Sequence, residues 1–221
     1  MFPLDGARGA RYWLDPEDSD EWGLVGVGGD LEPSTMVRAY SEGVFAWFNA
    51  GDPILWWSPE PRAIIELDAL HVSRRLARTM RSGPFRVTFD EAFDAVVDGC
   101  ADREGGTWIT ASMKQMYAAM HKLGIAHSVE SWVGGELAGG IFGISIGGFF
   151  AGESMFTNLT DGSKVAMASL FARLRQQGYA LFDTQMCTEH TIRMGAIEIP
   201  RSVYLGRLAD AVTKRGVRFH P

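Results

Sequence analysis

The stretch H-S-V-E-S-W-V-G-G-E-L-A-G-G-I-F-G-I-S-I-G-G-F-F-A-G-E-S-M-F, residues 127–156, decides the fold of this chain. The pairs Gly134-Gly135 and Gly147-Gly148 are typical of two-residue hairpin turns, and they divide the stretch into three segments. The apolar residues alternate with small or polar ones, as in half-buried strands. We therefore predict an antiparallel meander with strands over 127–133, 136–146 and 149–156.

Helical and strand patterns surround the meander. We expect Ser73 and Asp90 to act as N-caps, because their side-chain oxygens can accept from free backbone N–H groups. A meander followed by a helix and another strand indicates an α+β fold with a mixed, largely antiparallel sheet. The predicted helices cover 33–42, 74–82, 90–100, 111–123, 163–177, 188–194 and 204–214, and the further strands cover 62–67, 85–89 and 180–183.

The first sixty residues differ from the rest in being dense in Gly, Pro, Asp and Trp, with only one predicted helix. They end in W-W-S-P-E-P-R, residues 56–62, where two prolines favour an extended path. We therefore predict a small N-terminal domain over 1–62 and a larger domain over 63–221.

Composition narrows the function classes. The 221 residues are 46% apolar and 22% charged, as in a globular protein, and the formal net charge is −6. Any nucleic acid would therefore have to meet a local basic patch rather than the whole surface. Neither a signal peptide nor an apolar run of membrane-spanning length occurs, and Cys100 and Cys187 form no CxxC pair. We expect a cytoplasmic protein with reduced thiols and no membrane partner.

Two short motifs resemble those of other function classes, and the histidines raise the question of a metal site. G-I-S-I-G at 143–147 fits a serine hydrolase, with Asp183 and His190 following Ser145 in a known order, but here Ser145 lies in a predicted strand that runs into a hairpin. G-V-G-G-D at 26–30 lacks the third glycine, the preceding strand and the following helix of a dinucleotide loop. The five histidines show no metal-ligand spacing, so we expect no metal site.

Three other features fit either structure or function. Glu153 lies in an apolar strand, where it either points to water or faces a pocket and holds a cation. Asp183 and Gln185 end a strand, where polar side chains serve equally as helix caps or as active-site groups. Arg74, Arg78 and Arg81 share one face of a helix without acidic residues, either as a solvated face or as a phosphate-binding ridge.

Ten sequence blocks resemble the leucyl/phenylalanyl-tRNA–protein transferase family, in order and over nearly the whole chain. The chain departs from the usual family pattern at Ala46, Thr157 and Arg193-Met194. The blocks are G-V-G-G-D-L-E-P at 26–33, A-Y-S-E-G-V-F-A-W-F at 39–48, P-I-L-W-W-S-P-E-P-R at 53–62, H-V-S-R at 71–74, T-W-I-T at 107–110, H-K-L-G-I-A-H-S-V-E at 121–130, F-A-G-E-S-M-F at 150–156, S-K at 163–164, F-D-T-Q at 182–185 and G-A-I-E-I-P-R at 195–201.

The resemblance implies a larger domain similar to the acyl-CoA N-acyltransferase (GNAT) fold. It also implies transfer of Leu or Phe, and less readily Met, from aminoacyl-tRNA to proteins or peptides that begin with Arg or Lys, which marks them for N-end rule degradation. The ester substrate is already activated, so we expect no cofactor.

The resemblance assigns roles to particular residues. Gln185 would orient the attacking amine, while Asp183 either positions Gln185 or acts as the general base, and Glu153 would hold the amino group of the aminoacyl moiety. The other expected contacts are Ile141, Phe150, Met155, Leu170 and Phe182 around the aminoacyl side chain, Trp47 and Trp108 against the terminal adenine, and Arg74, Arg78 and Arg81 along the tRNA phosphates. A small-molecule N-acetyltransferase and a non-catalytic tRNA-binding module are the remaining alternatives.

Overall fold

A computed structural model describes residues 10–220 and contains two sheets. The smaller sheet is antiparallel, with strand order β1-β3-β2, and the indole of Trp56 on β3 is fully buried in it. Trp13 packs against Trp56, with 4.8 Å between the ring centroids. The elements are β1 (Leu24–Val27), α1 (Pro33–Ser41), β2 (Phe45–Ala46) and β3 (Leu55–Trp57).

The larger sheet has seven strands in the order β10-β4-β9-β8-β7-β6-β5. Only β8 and β9 pair in parallel, so the sheet is mixed and largely antiparallel, as predicted. The strands are β4 (Arg62–Ile65), β5 (Arg86–Phe89), β6 (Ala126–Val133), β7 (Glu136–Ile146), β8 (Phe149–Thr157), β9 (Leu181–Gln185) and β10 (Ala196–Ile199).

Six further helices surround the larger sheet. The predicted cap on α2 is confirmed, since the Ser73 side chain accepts from the backbone N–H of Leu76 at 3.1 Å. Among the described residues, no helix is long and apolar enough to cross a membrane. The helices are α2 (Arg74–Ser82), α3 (Phe93–Ala101), α4 (Ala111–Lys122), α5 (Gly162–Gln176), α6 (Glu189–Arg193) and α7 (Arg201–Val212).

Side-chain alternation along the meander divides the core between the two faces of the larger sheet. Phe142 and Phe149 belong to a cluster that includes side chains from α1, α3, α4 and α7. Ile141 and Phe150, their neighbours in sequence, belong to a second cluster beneath α5. The period of two in strands thus places adjacent large apolar residues in different cores.

Several local expectations are wrong. The strands β1, β2, β3 and β10 were not predicted, and α7 begins at Arg201 rather than near residue 204. Asp90 is not a helix cap: α3 begins after Ala92, and Asp90 has a left-handed φ of 61°. A strand and a helix do flank G-V-G-G-D, but the strand is antiparallel and the third glycine is lacking, so the segment is still not a dinucleotide loop.

Candidate active site

A buried ion pair between Arg62 and Asp183 joins β4 to β9. Arg62 Nε donates to Asp183 Oδ1 at 2.9 Å and Nη2 donates to Oδ2 at 2.6 Å, while Nη1 donates to the carbonyl oxygen of Gly43 at 3.0 Å. The Tyr204 hydroxyl on α7 donates to Asp183 Oδ2 at 2.9 Å. The two charged side chains are at most 1% exposed. Two parallel N–H···O bonds are the preferred geometry of a guanidinium and a carboxylate, so Asp183 is held in one orientation.

The charge on Arg62 is fixed by this arrangement. Burial is the largest single influence and would lower the pKa of Arg62, but the Asp183 carboxylate together with Tyr204 and Tyr40 outweighs it, and the pKa is raised above its ordinary value. The guanidinium also lies over the rings of Phe45 and Tyr204, at 5.0 and 4.5 Å from their centroids. The Arg62 guanidinium is therefore a fixed positive charge beneath the site, and removing Asp183 would leave that charge uncompensated.

Gln185 lies next to this pair at the end of β9. Its backbone N–H donates to Asp183 Oδ1 at 2.9 Å. In the amide orientation that satisfies its surroundings, its side-chain nitrogen donates to the carbonyl oxygens of Thr184 (2.9 Å) and Gly152 (3.1 Å). Regular alternation would place Asp183 and Gln185 on one side, but Gln185 has a left-handed φ of 60°, and the pairing of β4 with β9 shifts register here. Asp183 thus contacts Gln185 through the main chain.

Glu153 on β8 is half-buried and held by two phenols. The Tyr40 hydroxyl donates to Oε1 at 2.8 Å and the Tyr117 hydroxyl donates to Oε2 at 2.7 Å. Burial raises the pKa of Glu153 to about 7, the nearby Asp183 charge adds to this rise, and the two phenol hydrogen bonds oppose it. The carboxylate therefore titrates close to neutral pH, as expected of groups in functional sites.

The raised pKa of Glu153 also affects stability. The folded chain holds the Glu153 proton more tightly than the unfolded chain, whose carboxyl has an ordinary pKa of 4.5. The stabilising contribution is therefore fully present below pH 4.5 and is lost as the pH rises through about 7.

The two tryptophans expected against the terminal adenine differ in their contacts: Trp108 connects to this network through Tyr117, whereas Trp47 contacts Trp57. Trp108 packs edge-on against Tyr117, with 6.5 Å between the ring centroids, and Tyr117 contacts Glu153. Trp47 is 41% exposed, and its backbone oxygen accepts from the Trp57 indole at 2.7 Å. Trp47 is therefore available to a planar ligand from solvent.

The five residues expected around the aminoacyl side chain lie in one apolar cluster beneath α5. Phe150 and Phe182 stack at 5.8 Å, and Met155 is the only one of the five that is not fully buried. Gly152 permits this packing, because a Cβ there would lie 2.7 Å from the Phe182 ring. The other two members are Ile141 and Leu170.

A separate pocket of about 230 Å³ lies beside this cluster, between α2, α5 and α6. His190 lines the pocket, and its Nε2 lies 3.3 Å from the sulfur of Met155. Its lining residues are Leu70, His71, Val72, Ser73, Leu76, Lys164, Ala168, His190, Arg193 and Met194, none of which was predicted for the aminoacyl side chain.

The arginines of α2 face solvent. Arg74, Arg78 and Arg81 are exposed, and no ion pair involves them among the residues that the structure describes. Arg75, in contrast, pairs with the buried Asp161 at 2.8 Å. Three unpaired cations at this spacing form a local basic ridge on an acidic protein.

The residues of a serine hydrolase are not brought together. The Ser145 hydroxyl is bonded to the Tyr179 hydroxyl at 2.6 Å, and Ser145 lies inside β7 rather than at a strand-to-helix turn. Asp183 is bonded to Arg62, while His190 contacts Met155. Side chains of the kind that bind metal ions, Asp90, His127 and His220, come together elsewhere, at the turn after β5.

The sequence did not single out Tyr40, Tyr117, Arg62 or Tyr204. Arg62 ends the W-W-S-P-E-P-R block and Tyr40 lies in the A-Y-S-E-G-V-F-A-W-F block, so both stood in conspicuous motifs without an assigned role. Tyr117 and Tyr204 lie on helices and are fully buried. Buried tyrosines usually find a hydrogen-bond partner, which is the signal that could have indicated them.

Comparison with known proteins gives consistent matches. Residues 64–209 match a family model described as leucyl/phenylalanyl-tRNA protein transferase, and residues 29–60 match the N-terminal domain of the same family. A leucyl/phenylalanyl-tRNA–protein transferase of Anaeromyxobacter sp. (strain K) is 50% identical over 208 residues, which are 92% of this chain and 89% of that protein. One from Magnetococcus marinus is 49% identical over 205 residues, covering 90% and 87%.

Proposed function

Because this chain belongs to the leucyl/phenylalanyl-tRNA–protein transferase family, we propose that Glu153, Gln185 and Asp183 form its acyl-transfer centre. The enzyme transfers Leu or Phe from aminoacyl-tRNA to the N-termini of proteins. One observation carries the location: the Gln185 amide bonds to the carbonyl oxygen of Gly152, the residue that precedes Glu153 in β8. This bond joins the end of β9, which carries Asp183 and Gln185, to the part of β8 that carries Glu153.

The reaction is aminolysis of an ester, in which the acceptor amine attacks the aminoacyl carbonyl carbon. A C–N bond forms, the C–O bond to the ribose breaks, and the amine proton passes to the ribose oxygen. A protein α-amine has an ordinary pKa of about 8, so a useful fraction is neutral near pH 7. The enzyme must therefore chiefly position the two substrates and assist one proton.

Gln185 orients the attacking amine. Its amide nitrogen is committed to two carbonyl oxygens, so its own carbonyl oxygen is the end offered to an incoming N–H. Asp183 holds Gln185 in its left-handed conformation through the backbone N–H bond. Asp183 is thus a positioning residue rather than the general base.

Glu153 binds the amino group of the aminoacyl moiety. Ionised Glu153 attracts an ammonium group, while Tyr40 and Tyr117 fix both carboxylate oxygens and leave the remaining lone pairs for that group. The bound cation in turn favours the ionised form. The pair of phenols thus aims the carboxylate at one place.

The aminoacyl side chain enters the apolar cluster from the half-buried Met155 side. The shape of the cluster discriminates between side chains by only about 1–3 kcal/mol per methylene group. Leu and Phe are therefore preferred, and Met is accepted less readily but not excluded. Trp47 and Trp108 stack on the terminal adenine. Arg74, Arg78 and Arg81 bind acceptor-stem phosphates. The other members of the cluster expected to contact the side chain are Ile141, Phe150, Leu170 and Phe182.

The proposal also includes the more specific properties that the resemblance implies. They are the preference for acceptors that begin with Arg or Lys, the role in N-end rule degradation, a cytoplasmic location, the domain division 1–62 and 63–221, and the GNAT-like form of the larger domain. The meander followed by α5 and the parallel strand β9 supports the last of these.

The decisive test is transfer of radiolabelled Leu from Leu-tRNA to a peptide that begins with Arg, with a Glu-starting peptide as control. Gln185→Ala should lower transfer strongly, and Ser145→Ala should leave it near normal. Binding of Leu-tRNA without transfer would favour a non-catalytic tRNA-binding module. Loss of activity in Ser145→Ala together with fluorophosphonate labelling would favour a hydrolase.

A further inference from the structure

Two histidines and an aspartate from distant parts of the chain meet at the turn between β5 and α3. Nδ1 of His127 and Nε2 of His220 each lie 2.6 Å from Oδ2 of Asp90. The three ligand atoms lie within 4.8 Å of one another. The cluster is formed by β6, by the turn after β5 and by the segment after α7, so its members show no spacing in the sequence.

From this geometry we propose that Asp90, His127 and His220 form a binding site for a divalent transition metal of the Zn²⁺ class. Two imidazole nitrogens and one carboxylate oxygen are a common ligand set for Zn²⁺, with water in the fourth position. The side chains of Asp90 and His127 are 14% and 8% exposed, whereas His220 is 48% exposed. The site is thus built inside the fold and open on one side, where the ion and its water would enter.

The distances are close to those that coordination needs. Ligand atoms around a tetrahedral Zn²⁺ at about 2.0–2.1 Å are separated by roughly 3.3 Å. Each histidine nitrogen would therefore move away from Asp90 Oδ2 by less than about 1 Å. The exposed His220 side chain can supply its own part of this movement, because it lies on the open side.

The surroundings fix the two least exposed ligands. Asp90 adopts a left-handed φ of 61°, a costly conformation that is often found at functional sites, and its Oδ1 accepts from the backbone N–H of Ser128 at 2.7 Å. The His127 ring stacks on Phe219 at 4.1 Å. One carboxylate oxygen of Asp90 is thereby bound to the backbone, and Oδ2 is directed at the two histidines.

The site would tie the C-terminal segment to the sheet. Phe219 precedes His220, is 3% exposed and belongs to the cluster beneath α5, where it stacks on Phe150 at 5.8 Å. A metal bound at His220 would hold Phe219 in this cluster. The metal is structural, and its binding does not depend on the acyl-transfer proposal.

Calorimetric titration of the EDTA-treated full-length protein with ZnCl₂ tests the site, with the visible spectrum of bound Co²⁺ as a second readout. We expect one ion per chain and nitrogen and oxygen ligation in the spectrum. At about 100 times the dissociation constant, the melting temperature should rise by on the order of 5–10 °C. His220→Ala should weaken Zn²⁺ binding by on the order of 100-fold or more, because even side chains that only hydrogen-bond to metal ligands contribute about 10–100-fold to metal affinity.

Matched variants separate this site from other ligands. His71→Ala removes an exposed histidine from the separate pocket, and Cys187→Ser removes a half-buried thiol, so both should bind Zn²⁺ as the wild type does. Circular dichroism of metal-free His220→Ala should show an unchanged fold. The proposal would be overturned if the protein took up neither Zn²⁺ nor Co²⁺ at about millimolar concentration, or if His220→Ala bound Zn²⁺ with unchanged affinity. The three side chains would then be a hydrogen-bonded anchor for the C-terminal segment.

Discussion

Replacing Asp183 by alanine tests the buried ion pair and the transfer chemistry together. The substitution leaves the Arg62 guanidinium at 1% exposure without its carboxylate, while Tyr204 and the Gly43 carbonyl remain as its hydrogen-bond partners. Breaking a buried pair in this way costs about 3–5 kcal/mol of unfolding free energy. For a chain of this size, the melting temperature should fall by on the order of 6–20 °C.

A double variant separates the cost of the unpaired charge from the loss of Asp183 itself. In Arg62→Met with Asp183→Leu, no charge is left uncompensated, so much of the lost stability should return. Transfer should not return, because the backbone N–H of Gln185 has lost its acceptor. Urea unfolding followed by circular dichroism, extrapolated linearly to water, gives the free energies of all variants.

Transfer is then measured well below the midpoint of each variant, with Leu-tRNA and an Arg-starting peptide, so that every sample is folded. A loss of less than about 1 kcal/mol in Asp183→Ala would refute the stabilising role of the pair. Near-normal turnover of the folded variant would refute the role of Asp183 in the reaction.

The other predictions concern single contacts of the site. Transfer efficiency, as kcat/KM, should rise with pH through about 7 as Glu153 ionises, and Glu153→Gln should remove this step while the rise from the acceptor α-amine near pH 8 remains. The wild type should lose about 3 kcal/mol of unfolding free energy between pH 4.5 and about pH 8, measured by urea unfolding. Glu153→Gln should not show this loss. Arg78→Glu should raise KM for aminoacyl-tRNA and lower the slope of log KM against log salt by about 1, while a minimal aminoacyl-adenosine donor reacts normally. Trp47→Ala should lower kcat/KM for that minimal donor by an amount equivalent to roughly 1–3 kcal/mol. An unchanged kcat/KM would exclude adenine stacking at Trp47.

Local signals explain which parts of the fold the sequence predicted. The three meander strands are almost as expected, because long alternating segments meet at Gly-Gly turns whose conformation few other residues adopt. The strands β1, β2, β3 and β10 have two to four residues, which is too short for a period of two to stand out. Asp90 looked like a cap because capping is the common local role of aspartate, whereas here long-range partners determine its conformation.

The candidate site was harder to predict because its contacts are long-range. Tyr40 lies 113 positions from Glu153, and Arg62 lies 121 positions from Asp183. No periodicity links such residues, and only the pairing of β4 with β9 and the packing of α1 and α4 bring them together. The resemblance to a family supplied Glu153, Asp183 and Gln185, but it did not supply the tyrosines and the arginine that orient them.

The contacts of Asp183 bear on whether it moves a proton in the reaction. A carboxylate offers about four lone-pair sites, and four donors already occupy the oxygens of Asp183: Arg62 Nε and Nη2, the Tyr204 hydroxyl and the Gln185 backbone N–H. Accepting a proton from the substrate would require one of these bonds to break inside a fully buried site, beside a permanent guanidinium charge. Gln185, in contrast, is half-buried and has a carbonyl oxygen to offer. Under the proposed function we therefore expect Asp183 to act by holding Gln185, and Gln185→Ala should lower kcat about as much as Asp183→Ala does, without the accompanying loss of stability.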